Sequence, residues 1–147
     1  MSNLVCIDSQ IFIWGIKSQS IPSQAEKIPI ARNFINFLRE HDYRILMPAP
    51  MLAELLSPVP SADQPKIMAL IDKRFQIAPF DNIAAYKCAE LINLTLTLPE
   101  LKEYRDAHAV PKNKIKFDCM IAAIAITRRA HCIYSDDADI RKFAVGK

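Results

Sequence analysis

The chain has 147 residues and a net charge of +3, and it is 51% hydrophobic and 24% charged. These values predict one globular domain over residues 1–147 and exclude a disordered chain. Only two glycines occur, Gly15 and Gly146, which excludes a glycine-rich phosphate-binding loop. No apolar run is long enough to cross a membrane, so no membrane partner is expected.

The compartment is predicted from the cysteines and the N-terminus. Four cysteines, Cys6, Cys88, Cys119 and Cys132, each lie in an apolar run, and none forms a C-x-x-C pair. This pattern is typical of buried free thiols in a reducing cytosol and not of disulfides or a zinc site. The first residues lack the basic lead and cleavage site of a signal peptide. We therefore expect a cytoplasmic protein.

Short apolar runs alternate with longer segments of helical character along the chain. The runs at residues 4–7, 44–47, 76–79 and 132–134 have the length and branched side chains of buried strands. Helices are predicted at residues 11–16, 25–41, 51–56, 62–75, 82–98, 114–129 and 140–145, with Asp81 as the cap of the fifth. Residues 99–116 are polar and basic and are predicted to be a connection. This alternation indicates an α/β fold with a parallel sheet.

The predicted helix at 114–129 carries Asp118 in its first turn, followed by almost continuous apolar residues. We therefore expect most of this helix to be buried. An Asp at that position has two explanations. It caps the helix by accepting backbone N–H bonds, or it is held there to bind something cationic.

Two other acids follow apolar segments. Asp8 comes directly after the first strand, at the end where α/β sheets bind ligands, and the alternative is that it caps the next helix. Glu54 has apolar neighbours on nearly every side. A buried carboxylate is costly unless it is paired or bound to a metal, but a solvated Glu on a helix surface is the ordinary alternative.

The same arrangement occurs after the fourth strand, where Asp136, Asp137 and Asp139 follow. If the strands are parallel and adjacent, these acids and the earlier ones meet at one edge of the sheet. Several carboxylates in one place need a counter-ion, and hard oxygen ligands suit Mg²⁺ or Mn²⁺.

Lysines precede Asp118. They form either a solvated loop or a rim that contacts phosphates beside the acidic site, and their positions are Lys112, Lys114 and Lys116.

Four motifs in order along the chain resemble those of a PIN-domain ribonuclease, in particular the VapC-type toxins of bacterial toxin–antitoxin pairs. They are Ile7-Asp8-Ser9, Pro50-Met51-Leu52-Ala53-Glu54, Phe117-Asp118 with Ile121-Ala122-Ala123, and Ser135-Asp136-Asp137-Ala138-Asp139. The resemblance implies a three-layer α/β/α sandwich around a short, mainly parallel sheet of four to five strands. It also implies a metal-dependent endoribonuclease that forms a homodimer and is blocked by an antitoxin protein.

Site residues are assigned from the same resemblance. The acids that match the family's metal-binding and catalytic quartet are Asp8, Glu54, Asp118 and Asp137, and Asp139 matches a further acid near the metal. Ser135 matches a hydroxyl position that helps orient the site, and Ser9 matches the small hydroxyl residue after the first acid. From the cluster of positive charge, and not from the resemblance, Lys112, Lys114 and Lys116 are expected to contact RNA phosphates. Asp136 falls at a variable position. Two departures are Gln10, where Asn or Ser is usual, and Ile140, where Phe is usual.

Two other functions are alternatives to a ribonuclease. The first is a binding module that keeps the PIN fold without catalysis, and Gln10 and the extra acid are its only support. The second is a phosphotransfer enzyme with Asp8 as nucleophile, similar to the haloacid-dehalogenase-like enzymes. The sequence after Asp8 lacks the second Asp and the Thr of their D-x-D-x-T/V loop, which argues against this function.

Overall fold

A computed structural model describes residues 3–15 and 22–134 of the chain. The strands are β1 (Leu4–Ile7), β2 (Arg44–Pro48), β3 (Gln76–Ala78) and β4 (Ile133–Tyr134). The helices are α1 (Ser9–Gly15), α2 (Lys27–Glu40), α3 (Ala49–Leu56), α4 (Gln64–Arg74), α5 (Asn82–Thr97), α6 (Pro99–Ala107) and α7 (Lys112–Thr127). The predicted helix at 140–145 lies outside the described residues.

The described strands form one parallel sheet in the order β3-β2-β1-β4. All four residues of β1 are buried, because this strand is central and its apolar side chains pack on both faces of the sheet. Helices flank the sheet in an α/β/α arrangement. The predicted fold class is therefore confirmed, and so are the four predicted strands, with ends that differ by one residue at most.

Two apolar clusters hold the helices in place. The larger surrounds the sheet and includes Phe12 of α1, Ile35 of α2, Met51 of α3 and Ile121 of α7. The smaller lies between α5, α6 and α7 and includes Leu91, Leu101 and Ile115. Helix α7 contributes to both clusters, so it is buried on nearly every side. This confirms the prediction that most of the helix around Asp118 is buried.

The prediction of an irregular connection over residues 99–116 is wrong. Residues Pro99–Ala107 form α6, and α7 already begins at Lys112. Pro99 is the first residue of α6, where its missing N–H costs nothing. Leu101 is 7% exposed and packs into the smaller cluster. The polar residues of this segment are the solvated side of a helix that is anchored by Leu101, with Tyr104 packed against the same cluster.

Close contact between α1 and α2 depends on Gly15 at the end of α1. A Cβ atom at this position would lie 2.6 Å from Cδ1 of Ile35, which is a buried residue of α2. Any larger side chain would force Ile35 to move within a packed core. The small residue therefore lets the helix that follows Asp8 lie directly against its neighbour.

Asp81 caps α5, as predicted from the sequence. Its Oδ1 accepts a hydrogen bond from the backbone N–H of Ala84 at 2.9 Å, and its Oδ2 lies 3.3 Å from Arg128. Asp81→Ala is expected to lower the stability by about 1 kcal/mol, because an N–H at the helix start loses its partner. For a chain of this size that is a fall in melting temperature of about 2–4 °C, which calorimetry measures.

Asp63 supplies the matched control. It stands at the same position before α4, but its side chain makes no capping hydrogen bond. Asp63→Ala is therefore expected to change the stability by less than about 0.5 kcal/mol. Equal losses from the two substitutions would contradict the capping role of Asp81.

All four cysteines are free thiols, as predicted, and Cys6, Cys88 and Cys119 are buried. Burial raises the pKa of the Cys119 thiol to about 12 and raises that of Cys6 still further. These thiols stay protonated at neutral pH, and a protonated thiol is neither a metal ligand nor a nucleophile. In the described part of the chain, no helix has the length and apolar character that a membrane crossing requires.

Candidate functional site

The candidate site lies at the carboxyl end of the parallel sheet. β1 ends at Ile7 and leads into Asp8, and β2 ends at Pro48 and leads into α3, which carries Glu54. The backbone N–H of Asp8 donates to the carbonyl of Tyr134, the last residue of β4, at 2.9 Å. Because parallel strands end at the same edge, the chain brings side chains from distant parts of the sequence to one place.

Asp8 is 7% exposed although it carries a carboxylate. It comes directly before α1, and its backbone carbonyl accepts from the N–H groups of Ile11 and Phe12 at 3.1 and 3.3 Å. The hydroxyl of Ser9, itself 8% exposed, donates to Oδ1 of Asp8 at 3.3 Å. Ser9 therefore lies against the acid that it follows in the sequence.

Asp118 is 4% exposed and does not cap a helix. Helix α7 starts at Lys112 with Pro111 at the cap position, so Asp118 lies well inside the helix, and the predicted place in the first turn is wrong. Its Oδ2 accepts a hydrogen bond from Nζ of Lys114 at 2.9 Å. The position excludes the explanation that Asp118 caps the helix, and the binding of a cation by this residue stays a prediction.

Glu54 is exposed over its surface as a whole, but its carboxyl group faces the other site residues. Partial burial of the carboxyl group raises the pKa of Glu54, and the negative charge of Asp8 raises it further. A hydrogen bond from Ser9 and the positive charge of Lys114 act in the opposite direction. Glu54 on α3 therefore interacts electrostatically with residues at the start of α1 and on α7.

Three of the predicted acids thus come together around two polar partners. The Ser9 hydroxyl has one proton and hydrogen bonds with two carboxylates, those of Asp8 and Glu54, so it donates to one at a time. The ammonium group of Lys114 donates a hydrogen bond to Asp118, and its positive charge acts on the carboxyl group of Glu54. Ser135, Asp136, Asp137 and Asp139 lie outside the described residues, so their predicted places in the site stay predictions. The chain reaches them directly after Tyr134.

The donor chemistry of the three acids fits Mg²⁺ or Mn²⁺, which prefer carboxylate oxygens and bound water. Asp8 and Asp118 are nearly buried, and the ammonium group of Lys114 pairs with Asp118 and acts on the charge of Glu54. Within the two described ranges, no three His, Cys, Asp or Glu side chains come close enough to hold an ion as they stand. An ion would draw Asp8, Glu54 and Asp118 together and would take over the charge that Lys114 now balances.

The three lysines assigned to RNA do not share one face of α7. An α-helix turns by about 100° per residue, so Lys112 and Lys116 are about 40° apart, whereas Lys114 projects about 160° or more away from both. Lys112 and Lys116 are exposed, and Lys114 is half-buried beside Asp118. Lys114 therefore belongs to the acidic site, and the other two lie on a separate side of the helix.

The ion pair between Lys114 and Asp118 was missed in the sequence, although a signal for it was present. The two residues are four positions apart, the spacing at which helical side chains meet. The signal was overlooked because residues 99–116 were assigned to a connection, which placed Lys114 at the edge of the helix. No comparable local signal exists for the approach of Lys114 to Glu54, because it depends on how α3 and α7 pack.

Comparisons with known proteins agree with this architecture. A family model described as "PIN domain" matches residues 5–146. The crystal structure of VapBC2 from Rickettsia felis bound to a DNA fragment from their promoter is similar in fold, with a TM-score of 0.57. That alignment covers 95% of this chain and 92% of the other at 16% identity, so it shows a likeness of fold alone. No curated protein matches the sequence.

Proposed function

Because this chain belongs to the PIN-domain family, we propose that it is a divalent-metal-dependent endoribonuclease that hydrolyses RNA phosphodiester bonds. PIN domains are generally nucleases. The observation that carries the proposal is the gathering of Asp8, Glu54 and Asp118, from three separate segments, at the carboxyl edge of the sheet. Carboxylates collected there are costly unless they bind a cation.

In the proposed reaction, Asp8, Glu54, Asp118 and Asp137 hold Mg²⁺ or Mn²⁺, with Asp139 nearby. An ion held there would lower the pKa of a bound water and would stabilise the charge that develops on the phosphate. Ser9 orients Asp8 and Glu54 through its hydroxyl group, and Ser135 is assigned a similar role. Lys112 and Lys116, which are exposed on one side of α7, contact RNA phosphates, whereas Lys114, the third lysine assigned to RNA, lies in the acidic site beside Asp118. The products are a 5′-phosphate and a 3′-hydroxyl.

The proposed biological setting is the toxin of a type II toxin–antitoxin pair that acts in the cytoplasm. The support is the set of four VapC-like motifs, together with the fold shared with VapBC2. In this setting the chain forms one PIN-like domain over residues 1–147 and a homodimer, and an antitoxin chain blocks the acidic groove. A short neighbouring reading frame that encodes a DNA-binding head would support this setting.

The proposal predicts that cleavage of a mixed RNA pool depends on a divalent ion. The protein is expected to cleave the pool in Mg²⁺ or Mn²⁺, to lose this activity in EDTA, and to regain it when excess Mg²⁺ is restored, because the carboxylates alone activate no water. Gel analysis of the RNA and of its end groups measures the result. Cleavage that persists unchanged in EDTA would contradict the proposal.

A binding module without catalysis is the alternative that the same experiment separates. Such a module would leave the RNA intact in every buffer. It would also need no divalent ion, so its melting temperature would not rise with added Mn²⁺. Measuring both properties on one preparation distinguishes an inactive module from an enzyme that is tested on an unsuitable RNA.

A further inference from the structure

Lys114 differs from an ordinary surface lysine of an ion pair. Its Nζ lies 2.9 Å from Oδ2 of Asp118, and the Asp118 side chain is 5% exposed. Exposed pairs of this spacing contribute little to stability, because water screens both charges. Here one member is almost fully removed from water, so its charge depends on the partner that the protein supplies.

The same ammonium group also acts on a second carboxylate. Its positive charge lowers the pKa of Glu54, in opposition to burial and to the charge of Asp8. Glu54 is on α3 and Lys114 is on α7, so the interaction crosses between two elements. One lysine therefore balances acids from two different helices at the point where the proposed ion would bind.

We propose that Lys114 is a built-in counter-ion of the carboxylate site, and that it competes with a divalent cation for Asp118. This inference rests on the proposed function, since it concerns the same site. In the metal-free protein, Lys114 keeps the buried acid compensated and so stabilises the fold. When a divalent ion binds, the ammonium group has to leave Asp118, so Lys114 weakens the affinity of the site for metal.

The two consequences have opposite signs, which makes the proposal easy to test. Without Lys114 the metal-free protein is less stable, because the buried charge of Asp118 loses the ammonium group that lies 2.9 Å away. Without Lys114 the metal binds more tightly, because this ammonium group no longer has to be displaced from Asp118. A lysine with a purely structural role would lower the stability and leave the metal affinity unchanged or reduced.

The experiment titrates Mn²⁺ into the full chain by calorimetry and measures the melting temperature with and without the ion. Lys114→Met is expected to bind Mn²⁺ about tenfold more tightly than the unaltered protein. The variant is also expected to melt several degrees lower than the unaltered protein without metal. Saturating Mn²⁺ is expected to raise its melting temperature by more than it raises that of the unaltered protein. Lys114→Gln keeps a hydrogen-bond donor without the charge, and it is measured in the same way in case Lys114→Met does not fold.

Lys87→Met is the matched control. Lys87 pairs with Glu90 at 2.9 Å as well, but the Glu90 side chain is 45% exposed, whereas that of Asp118 is 5% exposed. Its loss is expected to change neither the Mn²⁺ affinity nor the effect of Mn²⁺ on melting. An affinity gain of the same size in Lys87→Met would overturn the proposal, because it would reflect only the change in net charge.

Failure of this inference can be told apart from failure of the proposed function. If the unaltered protein binds Mn²⁺ and the Lys114 variants bind it equally or more weakly, Lys114 does not compete with the metal. The proposal of a metal-dependent enzyme is unaffected by that result. If neither the unaltered protein nor the variants bind Mn²⁺, the metal site itself is overturned, and this inference falls with it.

Discussion

Asp118→Asn is expected to reduce RNA cleavage by at least about a hundredfold while the protein keeps its fold. The substitution preserves the shape of the side chain and removes a negative charge from a residue that is 4% exposed. Metal stabilisation of a reacting phosphate contributes several kcal/mol, and about 3 kcal/mol corresponds to a hundredfold in rate. Initial rates on a fixed RNA substrate, measured in saturating Mg²⁺, give the ratio.

Two further variants add a second site residue and a control to this test. Asp8→Asn is expected to have an equally large effect, because Asp8 approaches the same site from the end of β1. Asp72→Asn removes the same charge from an exposed position on α4 and is expected to cleave at the rate of the unaltered protein. Circular dichroism confirms the fold of each variant. Unchanged cleavage by folded Asp118→Asn would contradict the assigned role.

Phe12→Ala is expected to cause a large loss of stability, about 3–5 kcal/mol. Phe12 is fully buried, and its ring packs edge-on against Phe75 with 4.8 Å between the ring centres. Truncation removes apolar contacts and leaves a cavity between α1 and the residues that lead into β3. The melting temperature is expected to fall by roughly 10 °C in a chain of this length.

Tyr86→Ala is the control for this stability prediction. Tyr86 is also aromatic and helical, but it is 81% exposed on α5, so its truncation leaves no cavity. A change below about 0.5 kcal/mol is expected. A fall of less than about 2 °C for Phe12→Ala, or equal falls for the two variants, would show that Phe12 does not anchor α1 in the core.

The strands and most helices were predictable because their signals are local. Runs such as Leu4–Ile7 are uniformly apolar and short, which suits a strand buried on both faces. The cap at Asp81 was also predictable, because Asp is a frequent cap and an apolar helix follows. α6 was missed because its sequence is polar, and the packing of Leu101 and Tyr104 into a tertiary cluster, which distinguishes it from a solvated connection, has no local signal.

Three acids of the candidate site were indicated by the sequence, but the presence of Lys114 among them was not recognised. Asp8, Glu54 and Asp118 were found because each follows or interrupts an apolar segment, and the parallel sheet brings such positions together. The place of Lys114 depends on the true start of α7 and on the packing of α7 against α3. The packing of α7 against α3 is not encoded in the residues next to Lys114, whereas its pairing with Asp118 had a local signal in their four-residue spacing.

Anomalous scattering from crystals of the full chain soaked in Mn²⁺ tests the central claim most directly. The account predicts a manganese peak at the carboxyl edge of the sheet, within coordination distance of oxygens from Asp8 and Asp118, with Glu54 facing the same ion. A manganese peak bound only elsewhere, with Asp8, Glu54 and Asp118 turned to solvent on different sides, would contradict it.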